Sequence, residues 1–236
     1  MSFAMLCTHC GAQSGPSVGV CPFCKKAFAE GGGSKKPPTR RMVEKAFAEG
    51  QLEKALELLE PLRKDHPELE TDPGYLLVET QIFFESEGPS GRMRSNLAKA
   101  LANAPGDRTL QDYAELLEAR RLLSDGRIDE GERRVKAILQ RNPDHAHATF
   151  VLGTHYFWRT NQHALAARYL EKCVAVRPNF LRAWGCLGAL YSAMGQPSLA
   201  QRAFEQCLRL ESQPAMRRFF EERLEALRRG DLAKAG

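Results

Sequence analysis

Trp184-Gly185-Cys186-Leu187-Gly188-Ala189-Leu190-Tyr191 is followed by Gly195, then by Ala200, Phe204 and Cys207, and then by Pro214. The first eight residues carry no breaker other than glycine and read as one helix. Gly195 closes that helix and starts a tight turn, because glycine enters a left-handed conformation without strain. Ala200, Phe204 and Cys207 follow at steps of about three and four, which places them on one face of a second helix. Pro214 stops it. The stretch therefore reads as helix, turn, helix, loop.

The same punctuation runs back through the chain. Gly50, Gly88 and Gly126 are 38 residues apart, and Asn161 and Gly195 follow at 35 and 34. Asparagine is the non-glycine residue that best tolerates a left-handed turn, so Asn161 belongs to the series. Pro67, Pro105, Pro143 and Pro178 each come seventeen residues after a turn residue, and Ser212 takes that place in the fifth unit. Ala55, Leu59 and Leu62 follow the first turn, Leu97 and Ala100 the second, Val135 and Ile138 the third, and Ala166, Leu170 and Cys173 the fourth. Each set lies on one helix face. The spacing predicts an all-α array of five helix-turn-helix units.

Trp184, Leu187, Gly188 and Tyr191 form W-x2-L-G-x2-Y, with alanine, phenylalanine and a late proline after it, and this pattern resembles the tetratricopeptide repeat. The resemblance implies an α-solenoid with units at 39–69, 74–107, 112–145, 147–180 and 181–214. Met93 and Gly131 depart from the small alanine position, and the first three units lack the tryptophan, Leu-Gly and tyrosine signature. Leu152, Gly153 and Tyr156 stand one residue early relative to Asn161, which implies a one-residue slip in that turn. A further helix over 215–230, with Met216, Phe220, Leu224 and Leu227 on one side, reads as the terminal cap that repeat arrays need.

The N-terminal segment is different. Cys7-Thr8-His9-Cys10 and Cys21-Pro22-Phe23-Cys24 are separated by ten residues rich in turn formers. Two such pairs can place four thiolates at the corners of a tetrahedron, the geometry of closed structural zinc sites. Residues 1–28 are too few to bury a core unaided, so one structural Zn2+ held by Cys7, Cys10, Cys21 and Cys24 is expected to drive their folding. The stretch resembles a zinc ribbon. Gly31-Gly32-Gly33-Ser34-Lys35-Lys36-Pro37-Pro38 then predicts a flexible linker over 29–38.

The chain has 236 residues, 43% hydrophobic and 27% charged, with a net charge of +5. That composition argues for a folded chain. No apolar leader flanks Cys7, and the uncharged run Ala183–Gln201 is broken by glycines and Pro197, so neither a secretory signal nor a membrane span is expected. Reducing cytoplasm is the expected compartment. The segment before residue 42 carries six basic residues against Glu30, which leaves the array near neutral. No nucleophile-base pair, phosphate-cradling glycine loop or His-Glu metal motif is present, so no enzyme is expected.

The tetratricopeptide resemblance implies a concave groove lined by the first helix of each unit, where a partner peptide or helix binds. Carrying the family's inward positions onto this chain gives Tyr75 and Ile82, Tyr113 and Arg120, Phe150 and Trp158, and Arg182. The asparagine-and-lysine carboxylate clamp of chaperone-binding members is not evident. His145, His147, His155 and His163 do not form two clean ligand pairs on one helix face. The expected function is a non-enzymatic protein-interaction scaffold with the ribbon as a second contact module. The alternative is nucleic-acid binding through the basic ribbon and linker.

Overall fold

The computed structural model describes residues 5–6, 13–14, 37–86 and 91–231. The chain divides into two compact units, Met1–Pro37 and Pro38–Gly236. In the first, β1 (Met5–Leu6) pairs antiparallel with β2 (Gln13–Ser14), Met5 opposite Ser14 and Leu6 opposite Gln13. The expected zinc ligands Cys7, Cys10, Cys21 and Cys24 lie outside the described residues, as do most of the expected linker and Gly88.

The second unit is helical. The helices are α1 (Arg40–Ala48), α2 (Leu52–Asp65), α3 (Pro73–Ser86), α4 (Gly91–Asn103), α5 (Arg108–Ser124), α6 (Ile128–Arg141), α7 (Ala146–Trp158), α8 (His163–Val176), α9 (Leu181–Ala193), α10 (Pro197–Leu210) and α11 (Pro214–Arg228). Side-chain caps fix several starts. The Thr39 hydroxyl accepts from Met42 N, and the Asp107 carboxylate accepts from Thr109 N and Leu110 N. A short 3-10 turn, Pro67–Glu70, joins α2 to α3 and has no counterpart in the sequence pattern.

The turn residues behave as their chemistry requires. Among the described residues positive φ occurs at Gly50, Gly126, Asn161, Gly195 and Gly230. After each glycine, the next N–H reaches back five residues: Gln51 to Ala46, Arg127 to Leu122, Gln196 to Tyr191 and Asp231 to Ala226. That bond satisfies a carbonyl at the helix end. In the fourth unit Gln162 N reaches back six residues, to Tyr156 O. The extra residue is the slip read from the sequence.

Helices pair within each unit, α1 with α2 through to α9 with α10, and α11 covers α10. Val135 and Ile138 of α6, Leu170 and Cys173 of α8, and Phe204 and Cys207 of α10 are all buried. In α11, Phe220, Leu224 and Leu227 are buried, whereas Met216 is exposed. The second helices therefore pack as the periodicity predicts.

The array also closes on itself. The Asn179 amide donates to Ala48 O at 2.8 Å, and the Arg177 guanidinium lies 4.0 Å from the Phe47 ring centre. Ser212 Oγ donates to Glu53 at 3.1 Å. The first unit thus meets the junction of the fourth and fifth and the end of the fifth. The concave side between them is filled by the protein's own rings: Phe84 on His147 at 4.6 Å, and Phe150 on Phe180 at 4.7 Å.

Candidate functional site

Closure changes the reading of the expected groove. Tyr75, Ile82, Tyr113 and Phe150 are core residues, none more than 5% exposed. Tyr75 lies among Glu79, Arg63 and Glu60, with its phenol pushed upward in pKa chiefly by burial. Tyr113 donates to His147 Nδ1, and Phe150 packs on Phe84 and Phe180. All four are buried within the array: Tyr75 beside α2, and Tyr113 and Phe150 against rings of neighbouring first helices.

Of the other three expected residues Trp158 is exposed, while Arg120 and Arg182 are part-buried. Trp158 is 60% exposed, at the end of α7. Its indole leans on Phe157, with ring centres 4.1 Å apart. Arg120 stacks over the Phe84 ring at 4.6 Å and Arg182 over the Phe150 ring at 5.3 Å, so two guanidinium groups cap the aromatic interior. Arg182 Nη1 donates to Phe84 O at 2.9 Å. Buried Arg120 Nη1 has no hydrogen-bond partner among the described residues. Burial, and then the neighbouring charge of Arg182, brings the Arg120 pKa down to about 10.

Trp158 and Arg120 border an open cleft of about 360 Å³, lined also by Leu123, Ser124, Val151, Thr154, His155 and Arg159. Val151, Thr154 and Trp158 share one face of α7 at steps of three and four, which is the signal that locates the first two from the sequence. Ser124 and Arg159 fall at helix ends and carry no such signal. His155 Nε2 is buried without a hydrogen-bond partner among the described residues, and burial lowers its pKa.

The interior behind the cleft is a polar chain. His147 Nε2 donates to Glu85 at 2.9 Å, and Arg177 Nε also bonds that carboxylate. His145 caps α7, its Nδ1 accepting from Ala148 N at 3.3 Å. Among the described residues no three His, Cys, Asp or Glu side chains form a group that could hold a metal ion. Among them, too, no helix is long and apolar enough to cross a membrane.

Tetratricopeptide-repeat family models match residues 116–179 and residues 181–214. No curated protein sequence matches the chain. Among solved structures, it is similar to a thermophilic TPR protein of Thermus thermophilus, at 19% identity and TM-score 0.48, over 79% of this chain and 95% of that one. It is similar to PilF of Pseudomonas aeruginosa at 17% identity and TM-score 0.44, over 83% and 85%. MamA protein gives 19% identity and TM-score 0.40, over 75% and 91%.

Proposed function

We propose that the chain is a non-enzymatic protein-interaction scaffold that captures a partner segment at the Trp158 cleft. Tetratricopeptide repeats generally mediate protein–protein interaction. The carrying observation is Trp158 itself, 60% exposed beside a cleft while the rest of the inward face is packed. A large indole kept in water at a concave rim is the kind of anchor that dominates binding energy at interfaces. The four N-terminal cysteines suit one structural Zn2+ as a soft-ligand tetrahedral set, and the ribbon they build serves as a second contact module. The free thiols of Cys173, Cys186 and Cys207 favour a reducing, cytoplasmic setting.

A photo-cross-linking residue at position 158 of the full chain tests the capture site. Cross-links to a partner at 158, absent from a control at Arg133 on α6, support it. Equal labelling at both positions overturns it. Trp158→Ala is expected to weaken capture with an unchanged melting temperature. The purified chain should hold close to one zinc, and Cys21→Ser should lose it. Steeply salt-dependent binding to random RNA would instead favour the basic N-terminal segment as a nucleic-acid contact, a reading that its six cations against one acid support.

A further inference from the structure

We infer, resting on the scaffold reading, that the Trp158 cleft receives the carboxylate side chain of an acidic peptide segment, bound by Arg120 with Arg182 beside it. A guanidinium carries five donors and forms its strongest bonds with carboxylates, often two at once. Arg120 is largely buried, yet among the described residues its Nη1 has no acceptor and no carboxylate pairs with it. Arg182, outside the cleft lining, has the Phe84 carbonyl as its hydrogen-bond partner and Glu85 near enough to act on its charge, so Arg120 is the cation that the cleft leaves without an acid. Arg182 also sits in the first turn of α9, where the helix dipole opposes a cation.

Arginines on the adjoining surface do find acids. On the adjoining surface Arg121 pairs with Glu118 and Asp125, while Arg127 and Arg134 share Glu130. The cleft lining offers Arg120, Arg159, His155, Ser124 and Thr154 as polar groups and, among the described residues, contains no acid. Glu132 Oε1 stands 3.6 Å from His155 Nε2, outside the lining. A carboxylate in the cleft would supply Arg120 with the counter-charge that no described residue gives it, and an apolar residue next to it in the segment would lie on the Trp158 ring.

Charge also selects the size of the anion. Glu118, Asp125 and Glu130 neutralise Arg121, Arg127 and Arg134, so those arginines add no broad positive field. A nucleic-acid strand or an anionic membrane needs such a field. A single carboxylate on a neutral or apolar segment needs only the cleft.

The test is selection of a random dodecapeptide display library on the purified full chain. Asp or Glu beside an apolar residue is expected to be enriched at least threefold. The best selected peptide should bind at least tenfold more weakly when its acid is changed to Gln, and at least tenfold more weakly to Arg120→Met. Arg120→Lys should recover part of the loss. Arg120→Met should melt no lower than the parent, because the substitution removes an unpaired buried charge. Selection without acidic enrichment, equal binding of the Gln peptide, or an Arg120→Met variant that melts well below the parent would each overturn the assignment. Displacement of the peptide by millimolar inorganic phosphate or by phosphatidylserine vesicles more readily than by free glutamate would assign the site to a phosphate oxyanion instead. Cross-linking at position 158 that persists in Arg120→Met sinks the acidic ligand and leaves the scaffold standing. No cross-linking at 158 in either chain sinks the scaffold site itself.

Discussion

Glu85 in the second unit accepts a hydrogen bond from His147 in the fourth, 62 residues along the chain, at 2.9 Å. Both side chains are buried, and the same carboxylate binds Arg177, which reaches on to Phe47 of the first unit. Burial lowers the His147 pKa and favours the neutral ring, whose one proton, on Nε2 toward the Glu85 carboxylate, leaves Nδ1 to accept from the Tyr113 hydroxyl. One acid thus ties four units together across the side where a partner would otherwise lie.

Removing that acid is expected to be costly. Glu85→Gln leaves the Arg177 cation without its counter-charge, and breaking a buried pair this way costs about 3 kcal/mol or more. Amides of α1 should also exchange faster, because Arg177 holds Phe47. Urea unfolding combined with hydrogen exchange reads both effects. A stability unchanged within about 0.5 kcal/mol would mean that the chain of bonds does not hold the ring closed.

Stability should fall on mild acidification through His145. Burial, with the nearby His147, lowers its pKa from 6.5 to about 4. Above 6.5 the ring is neutral in both states and its contribution is complete. Between 6.5 and about 4 the unfolded chain takes up a proton that the folded ring refuses, and roughly 3 kcal/mol is lost. His145→Asn keeps an acceptor for Ala148 N without titrating. Its unfolding free energy should be near the parent's at pH 7.5 and fall less steeply between pH 6.5 and 5. The remaining slope belongs partly to His147, which burial shifts in the same direction. Identical slopes would remove His145 from the account.

The turns and the closure are unequally legible in the sequence. A positive φ is a local demand, so Gly50, Gly126, Asn161 and Gly195 announce themselves by residue type and spacing. Leu152, Gly153 and Tyr156 reveal the one-residue slip in the same way. The ring closure depends on pairs such as Asn179 with Ala48 and Arg182 with Phe84, 131 and 98 residues apart. Periodicity says which residues share an inward helix face; it does not say how tightly the helices curve. It therefore puts Tyr113 and Phe150 on the right side of their helices while leaving open that the neighbour they meet is the chain itself. Trp158 differs because it lies two turns beyond Phe150, at the end of α7.

Two glycines of the fifth unit should separate close approach from backbone conformation. A Cβ on Gly188 would stand 2.6 Å from Cζ of the Phe204 ring, whereas Gly195 has open space around it and a φ of +68°. Gly188→Ala must shift a buried ring, at about 3 kcal/mol. Gly195→Ala meets only the left-handed strain, about 1 kcal/mol. Adding Phe204→Leu to Gly188→Ala should cost less than the sum of the two changes, since the smaller side chain makes room. Additive losses in chemical denaturation would show that the close approach is not what requires glycine at 188.

Asn161 is the one described non-glycine residue at positive φ, 52°, and it sits in the turn that is one residue longer than the others. The longer path lets Gln162 N still reach the end of α7, at Tyr156 O, 2.9 Å away. Asparagine adopts the left-handed region at small cost, and alanine does not. Asn161→Ala should therefore destabilise the array by about 1 kcal/mol. Asn161→Gly should stay within about 0.5 kcal/mol of the parent, because relief of strain is offset by the freer unfolded chain. The ordering glycine near asparagine, both above alanine, is the measurable signature in urea titrations. If alanine matched asparagine, the turn would have to satisfy the α7 terminus by another conformation, and the correspondence between Asn161 and the turn glycines would fail.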